Sequence, residues 1–250
     1  MIRLEHIDKR FATGTAAEVH ALRDLSINVQ EGEFVVVLGS NGSGKSTLLN
    51  AIAGTIRLDG GGIYIDGHDV TRLPDHSRSR WVARIFQNPV MGTAPDLSIL
   101  ENFRLAALRT KTKKATVGTS AEFRTMVEEH VNTVGLGLEG KLDQAMGTLS
   151  GGQRQALALL MAVMDETKVL LLDEPTAALD PRTAHTVMEL ANRIIQKYRL
   201  TTLLVTHQMK DALQYGDRVL FLTEGKISKD VSGKARNELQ INDLLRWFEV

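Results

Sequence analysis

The hydrophobic positions of this chain follow a strand-like period in its first third. IRLEHID (2–8) and LRDLSINVQ (22–30) alternate apolar and polar residues, and EFVVVL (33–38) is almost continuously apolar. GGIYIDG (61–67) is a short apolar segment between glycines. Alternation and short β-branched runs are typical of strands. The opening third is therefore predicted to be rich in strands, with an antiparallel portion at the N-terminus.

A helical period appears after this region and then recurs between further apolar runs. Four segments have apolar residues at helical spacing: TLLNAIAG (47–54), SILENFRLAALR (98–109), EFRTMVEEHVNTVGL (122–136) and PRTAHTVMELANRIIQKY (181–198). Three others are predicted strands: KVLLLDEP (168–175), TTLLVTH (201–207) and DRVLFLTEGKI (217–227). INDLLRWFEV (241–250) is predicted to be a short amphipathic helix that packs on the body.

This order of elements predicts an α/β fold with a mostly parallel sheet. Continuous apolar strands alternating with helices indicate a sheet that is covered on both faces. We predict a single domain over residues 1–250, in which about 1–96 and 147–250 form the α/β core. The region from about 97 to 146 is predicted to be an inserted helical subdomain.

Composition narrows the classes of function. Lysine plus arginine equals aspartate plus glutamate at 30 each, so no overall positive charge favours nucleic acid, and none is expected as a partner. Cysteine is absent, which excludes disulfides and thiolate chemistry. The most apolar stretch, ALALLMAVM (156–164), is about half the length of a membrane span and is predicted to be a buried helix. Any role at a membrane is expected to require a partner.

GSNGSGKS, residues 39–46, matches the G-x-x-x-x-G-K-[ST] pattern directly after the predicted strand EFVVVL. Glycines let consecutive backbone N–H groups face a phosphate at a helix N-terminus, which already favours anions. Lys45 would add a positive charge near the phosphates, and Ser46 would ligate Mg²⁺. The alternative is a flexible glycine turn, but the strand before the loop and the helix after it favour phosphate binding.

KVLLLDEP places two carboxylates at the end of a buried strand, where α/β sheets bind their ligands. Asp173 is predicted to hold Mg²⁺ through water, and Glu174 to polarise an attacking water. An acidic strand end alone is common, but together with the phosphate loop it predicts a catalytic pair for nucleotide hydrolysis.

The segment TLSGGQRQ (148–155), lying before the Asp173 strand, gives the sequence its clearest resemblance. The chain resembles the nucleotide-binding subunit of an ABC ATPase, an importer-type P-loop NTPase, over essentially its whole length. The resemblance implies that Gln87 senses Mg²⁺ and the γ-phosphate, that Asp180 belongs to the D-loop, and that His207 is the switch histidine. It also implies that Phe11 stacks on adenine, although an aromatic residue there could simply be core.

The resemblance therefore assigns residues to three roles. The catalytic residues are Lys45, Gln87, Glu174 and His207, and the metal ligands are Ser46, Gln87 and Asp173. Residues expected to contact ATP are Phe11, Gly39, Ser40, Asn41, Gly42, Ser43, Gly44, Lys45, Ser46, Thr47, Ser150, Gly151, Gly152, Gln153 and Asp180.

SGGQ is a second phosphate-binding loop at a helix N-terminus, with the Ser150 hydroxyl and the N–H groups of Gly151 and Gly152. One chain has no obvious second nucleotide for it. The resemblance implies a head-to-tail dimer in which this loop covers the ATP on the phosphate loop of the other copy.

The family resemblance also implies a function for the whole chain. It is expected to energise an ABC transporter from the cytoplasmic face of the membrane, with a separate permease, indirect help from a solute-binding protein, and import of amino acids or similar small organic solutes. An exporter subunit and a soluble ABC ATPase that assembles a cofactor or complex remain alternatives. Importer-type members often have arginines where this chain has Ala156 and Met161, which leaves the subfamily open.

The family resemblance assigns no role to two groups of basic residues. Arg72, Arg78, Arg80 and Arg84, together with the run RTKTKK (109–114), are predicted to form solvated faces. Contact with lipid headgroups or a partner is the alternative.

Overall fold

The computed structural model describes residues 1–12, 18–110 and 119–249. Its larger sheet has the strand order β10-β9-β3-β8-β7-β6. These strands are β3 (Phe34–Gly39), β6 (Val82–Ile85), β7 (Val169–Asp173), β8 (Thr201–Val205), β9 (Arg218–Thr223) and β10 (Lys226–Ser232). Every neighbouring pair is parallel except β9 and β10. The predicted mostly parallel sheet is confirmed.

A smaller sheet lies at the N-terminal end of the chain and is antiparallel, as predicted. Its order is β2-β1-β4-β5. The strands are β1 (Ile2–Ala12), β2 (Glu18–Val29), β4 (Gly60–Ile65) and β5 (His68–Asp69).

The helices lie mostly where the helical period predicts them. They are α1 (Lys45–Ala53), α2 (Asp75–Arg78), α3 (Ile99–Ala107), α4 (Ala121–Asn132), α5 (Gly151–Ala162), α6 (Pro181–Tyr198), α7 (Met209–Gln214), α8 (Gly233–Asn237) and α9 (Ile241–Phe248). Both α3 and α4 fall within 97–146, but the division of the chain into core and helical subdomain stays a prediction. Among the described residues, no helix has the length and apolar character of a membrane span.

The core lies on both faces of the larger sheet, and β3 shows why its sequence is continuously apolar. Phe34, Val36 and Leu38 pack with residues of α5 and α6, whereas Val35 and Val37 pack with α1 and the smaller sheet. Successive side chains of a strand point to opposite faces, so a strand covered on both faces needs apolar residues throughout. The burial of each such side chain contributes roughly 1.5–3 kcal/mol to the stability of the fold.

Arg78 corrects the prediction of a solvated basic face, because its side chain is only 1% exposed. Its guanidinium donates to the carbonyl oxygens of Ala51 (2.6 Å) and Ile52 (2.9 Å) at the end of α1, and to those of Leu73 and Thr71. A cation is favoured at a helix C-terminus, where the last carbonyls lack intrahelical donors. Burial lowers the pKa of Arg78 to about 10.

The other basic residues divide into three groups. Arg72 and Arg80 are exposed, as predicted. Arg84 is not, since its side chain is 11% exposed and paired with Asp173. Most of the run RTKTKK lies outside the described residues.

The two departures from the importer-type pattern, Ala156 and Met161, are both buried on α5. An arginine at either position would place a charge where this chain has apolar packing.

Candidate nucleotide-binding site

The loop 40–44 connects β3 to the N-terminus of α1, as the sequence predicts. Gly44 precedes α1 with φ +105, a conformation that side-chain-bearing residues rarely adopt. A Cβ atom on Gly44 would also collide with the carbonyl oxygen of Ala21, and one on Gly39 with that of Leu222. Gly39 has φ +152, so glycine is favoured by both backbone conformation and close packing at each of these two positions.

Lys45 is buried, and its ammonium group folds back over the loop. Nζ donates to the carbonyl oxygens of Gly39 (2.8 Å) and Ser40 (2.9 Å). Burial lowers the pKa of Lys45, while the negative charges of Glu174 and Asp173 act in the opposite direction. These interactions fix a positive charge at the mouth of the phosphate loop.

The residues of this loop fit a phosphate group. Within the described part of the chain, Ser43 Oγ is buried without a hydrogen-bond partner. The first N–H groups of a helix have no intrahelical acceptor, and α1 has no side-chain cap. Orphaned donors around a lysine ammonium are the chemistry that binds phosphate oxygens.

Asp173 ends β7 and is held by Arg84, which lies on the neighbouring strand β6. Arg84 Nη2 donates to Asp173 Oδ2 at 2.5 Å, and Nη1 donates to Asn50 Oδ1 at 2.6 Å. The Asp173 side chain is 13% exposed, and the guanidinium of Arg84 lies 4.8 Å from the ring centre of Phe86. Arg84 thus joins α1, β6 and β7, a role that the sequence pattern around residue 84 does not predict.

Glu174 has the left-handed φ of +44, which is uncommon for a residue with a side chain. Its N–H donates to the carbonyl of Val205 on β8 at 2.9 Å. Its Oε2 atom lies 3.1 Å from Nδ1 of His207, the second residue after β8. Such backbone conformations cost roughly 1–3 kcal/mol and concentrate at functional sites.

The three predicted metal ligands lie on three segments of this region. Ser46 is exposed in the first turn of α1, Gln87 is exposed in the loop after β6, and Asp173 ends β7. Their side chains offer only oxygen donors suited to Mg²⁺. Among the described residues, no group of three or more histidine, cysteine, aspartate or glutamate side chains could hold a metal. Mg²⁺ prefers six oxygen ligands, so three protein residues would leave positions for nucleotide and water.

The SGGQ loop forms the N-terminus of α5, as predicted. Ser150 Oγ accepts from the N–H of Gln153 at 3.3 Å, and Gln153 Oε1 accepts from the N–H of Ser150 at 3.1 Å. This capping box orders the loop. A Cβ atom on Gly152 would collide with the side chain of Thr183.

Asp180 is the N-cap of α6, where its side chain accepts from the N–H of Thr183 at 3.1 Å. Hydrogen bonds with Thr183 lower the pKa of Asp180. Gly151 and Leu179 lie side by side, so the SGGQ loop and the segment before α6 pack together within one chain.

Phe11 lies on β1 with its side chain 39% exposed, which is compatible with an aromatic stacking surface. Lys9 Nζ lies 5.2 Å from its ring centre. The stacking on adenine stays a prediction.

The predicted site residues therefore fall into separate groups. Lys45, Asp173, Glu174 and His207 are brought together at the carboxyl ends of adjacent strands. In the described part of the chain, no hydrogen bond or ion pair joins 150–153 to 39–46. The remaining residues expected to contact ATP lie in or next to the phosphate loop: Ser40, Asn41, Gly42 and Thr47.

Gln155 was also missed by the sequence analysis. It is 1% exposed, and its Nε2 donates to the carbonyl of Phe86 at 3.0 Å. The SGGQ helix is thereby bonded to the segment that leads to Gln87. A polar residue on the otherwise apolar face of α5 was the available signal.

Comparisons with known proteins agree with this geometry. A family profile described as "ABC transporter" matches residues 22–177. The tyrosine transport ATP-binding protein of Clostridioides difficile (strain R20291) is 41% identical over 250 residues, which is 100% of this chain and 99% of that protein. The sulfate/thiosulfate import ATP-binding protein CysA 2 of Agrobacterium fabrum (strain C58) is 36% identical over 90% of this chain and 62% of that protein.

Two solved structures have the same architecture. A dimeric ATP-binding cassette in a post-hydrolysis state, bound to ADP and Pi, has a TM-score of 0.79 at 29% identity, covering 93% of this chain and 98% of that chain. A nucleotide-free ATP-binding cassette from an ABC transporter has a TM-score of 0.79 at 26% identity, covering 98% of this chain and 95% of that chain.

Proposed function

This chain belongs to the ABC transporter family as an ATP-binding subunit whose ATPase activity is coupled to transport, and we propose that it energises import of an amino acid through a separate permease. The observation that carries this proposal is the full-length similarity to a tyrosine transport ATP-binding protein. An aromatic amino acid is the proposed substrate class, because the similarity extends over the entire chain.

Glu174 is proposed as the general base. Its N–H donates a hydrogen bond to the Val205 carbonyl, which holds its backbone, and the contact with His207 orients its carboxylate. Its carboxylate would accept a hydrogen bond, and then the proton, from the attacking water, and His207 would hold the carboxylate in that orientation. Lys45 and the N–H groups of the loop would stabilise negative charge on the phosphates. Bound Mg²⁺, held by Ser46, Gln87 and water on Asp173, would supply further charge stabilisation.

A second copy of the chain is the proposed partner of the SGGQ loop. Ser150 is exposed at the N-terminus of α5, where the first N–H groups of the helix have no intrahelical acceptor. An anion on another copy would satisfy these donors. Two ATP molecules would then lie between two chains in a twofold arrangement.

A surface groove of about 880 Å³ is the proposed docking site for the permease. It lies between β6, α3 and α5, and its apolar lining includes Met91 and Leu105, each with a side chain 55% exposed. Gln87 is not among the side chains that line it, although it follows β6 directly. A groove with exposed apolar side chains fits an amphipathic helix from a partner. The chain would thus lie on the cytoplasmic face of the membrane.

The proposal is tested by purifying tagged Glu174→Gln protein in mild detergent with ATP and Mg²⁺, and identifying what is recovered with it. Recovery of a polytopic membrane protein is the expected first result. ATP-dependent tyrosine uptake is then expected in vesicles that contain this permease, the wild-type ATP-binding subunit and any associated solute-binding protein. Uptake of an unrelated solute would refute the substrate class, and outward movement would favour an exporter. Recovery of soluble proteins alone would favour the assembly ATPase.

The groove provides a matched pair of variants for that experiment. Leu105→Glu places a charge in the apolar lining and is expected to abolish co-purification of the permease. Val19→Glu places the same charge on an exposed apolar residue of β2, away from the groove, and is expected to leave co-purification unchanged.

A further inference from the structure

Arg84 is bonded to the carboxylate of Asp173, which is also a predicted ligand of the metal. We propose that Arg84 neutralises Asp173 in the nucleotide-free protein, so that the site takes a divalent cation only together with nucleotide. This inference rests on the proposed function, because it takes Asp173 as a metal ligand.

The position of the guanidinium is fixed independently of Asp173. One nitrogen donates to Asn50 Oδ1 at 2.6 Å, and the group lies 4.8 Å from the ring centre of Phe86. An arginine side chain does not lose its proton in proteins. Its charge therefore remains beside Asp173 at any physiological pH.

The protein's own charges at this site balance. Asp173 and Glu174 contribute two carboxylates, whereas Arg84 and Lys45 contribute two cations. Both members of the Arg84–Asp173 pair are largely buried, at 11% and 13% exposed, so salt screens their interaction only weakly. A divalent cation approaching without nucleotide would meet a positive charge already bonded to Asp173 Oδ2. Nucleotide phosphates would change this balance by adding several negative charges.

This balance would leave the three oxygen ligands with little attraction for a free cation. Asp173 is the one proposed ligand with a negative charge, since Ser46 and Gln87 are neutral. Cancelling that single charge removes most of the electrostatic attraction for a free cation. Metal affinity would then depend on the phosphates, which reach the site with their own bound cation.

The test measures binding of Mn²⁺ alone to the nucleotide-free protein, from the electron paramagnetic resonance signal of free Mn²⁺. Arg84→Met is expected to raise the affinity for Mn²⁺ at least about tenfold, because removal of the guanidinium restores the charge of Asp173. Arg84→Lys keeps a positive charge near Asp173 but not the planar two-nitrogen geometry, and it is expected to gain clearly less Mn²⁺ affinity than Arg84→Met. Arg80→Met, which removes an exposed arginine nearby, is the matched control.

A second substitution identifies the carboxylate. In the double variant Arg84→Met, Asp173→Asn, the gain in Mn²⁺ affinity should disappear. Arg84→Gln retains a hydrogen-bonding side chain without the charge. It replaces Arg84→Met if Arg84→Met folds poorly, and the same gain in Mn²⁺ affinity is expected.

Three results would overturn the inference: unchanged or weaker Mn²⁺ binding in both uncharged variants, an equal gain in Arg84→Lys, or a gain that persists without Asp173. ATP hydrolysis by the wild type distinguishes failure of the proposed function from failure of this inference. If the wild type does not hydrolyse MgATP, the function is wrong, whereas normal hydrolysis with unchanged Mn²⁺ binding in Arg84→Met refutes only the role of Arg84.

Discussion

Nδ1 of His207 lies 3.1 Å from Oε2 of Glu174, and this contact joins the residues that follow two neighbouring strands. Glu174 reaches that position with a left-handed backbone, φ +44, held by the carbonyl of Val205. Its carboxylate thus lies beside His207 at the end of the sheet, close enough to Lys45 for the two charges to interact.

Glu174→Gln should therefore slow ATP hydrolysis by at least about a hundredfold while leaving ATP affinity nearly unchanged, because the water loses its acceptor carboxylate. Turnover under saturating MgATP and equilibrium binding measure the two quantities. Glu224→Gln is the matched control, since Glu224 is also a glutamate with a left-handed backbone (φ +46) but is exposed. Turnover close to that of the wild type in Glu174→Gln would rule out Glu174 as the base.

Lys45→Ala should weaken ATP binding at least about tenfold, because a charge-assisted bond to phosphate is lost. Isothermal titration of the isolated subunit measures this affinity. Lys226→Ala, which removes an exposed lysine at the start of β10, should bind ATP normally. An unchanged affinity in Lys45→Ala would contradict the assignment of 39–46 as the phosphate loop.

Ser150→Arg should prevent the ATP-dependent dimer without affecting nucleotide binding to the monomer. The added side chain would fill the surface on which the other copy's phosphate would lie. Light scattering during gel filtration, in the Glu174→Gln background with ATP, measures the mass. Ser120→Arg is a matched control, because Ser120 is likewise an exposed serine that caps a helix, α4. A dimer that still forms with Ser150→Arg would refute the proposed arrangement.

Arg78→Met should lower the free energy of unfolding by about 3 kcal/mol, since buried carbonyl oxygens lose a charged donor. Denaturant unfolding measures the change, and Arg72→Met on the exposed surface should alter it by less than about 0.5 kcal/mol. Equal stability of the two variants would mean that the bonds to Ala51 and Ile52 contribute little.

Much of the fold and site could be predicted because the signals are local. The phosphate loop is eight consecutive residues, and β3, β7 and β8 are apolar enough to indicate burial on both faces. The roles of Arg78 and Arg84 could not be predicted in this way. The Arg84–Asp173 bond spans 89 residues and depends on the pairing of β6 with β7. Arg78 is buried because α1 ends beside it, which no periodicity near residue 78 indicates.

Asp211 gives a prediction for the pH dependence of stability. Burial raises the pKa of its carboxyl group, while a hydrogen bond from Thr206 and the charge of His207 act in the opposite direction. In the unfolded chain an aspartate has a pKa of about 3.9. The folded protein therefore binds the proton more tightly, and the stability that this proton contributes is lost as pH rises through the folded pKa.

Asp211→Asn removes this ionisation but keeps an oxygen that can accept from Thr206. The variant should become progressively more stable relative to the wild type as pH rises from about 4 towards neutrality, because only the wild type must ionise a buried group. Urea unfolding at several pH values measures the difference, and Asp75→Asn, at an exposed position in α2, serves as the control. A difference that shrinks with rising pH would mean that Asp211 is stabilised as an anion by His207, and that its charge supports the end of β8 instead of weakening it.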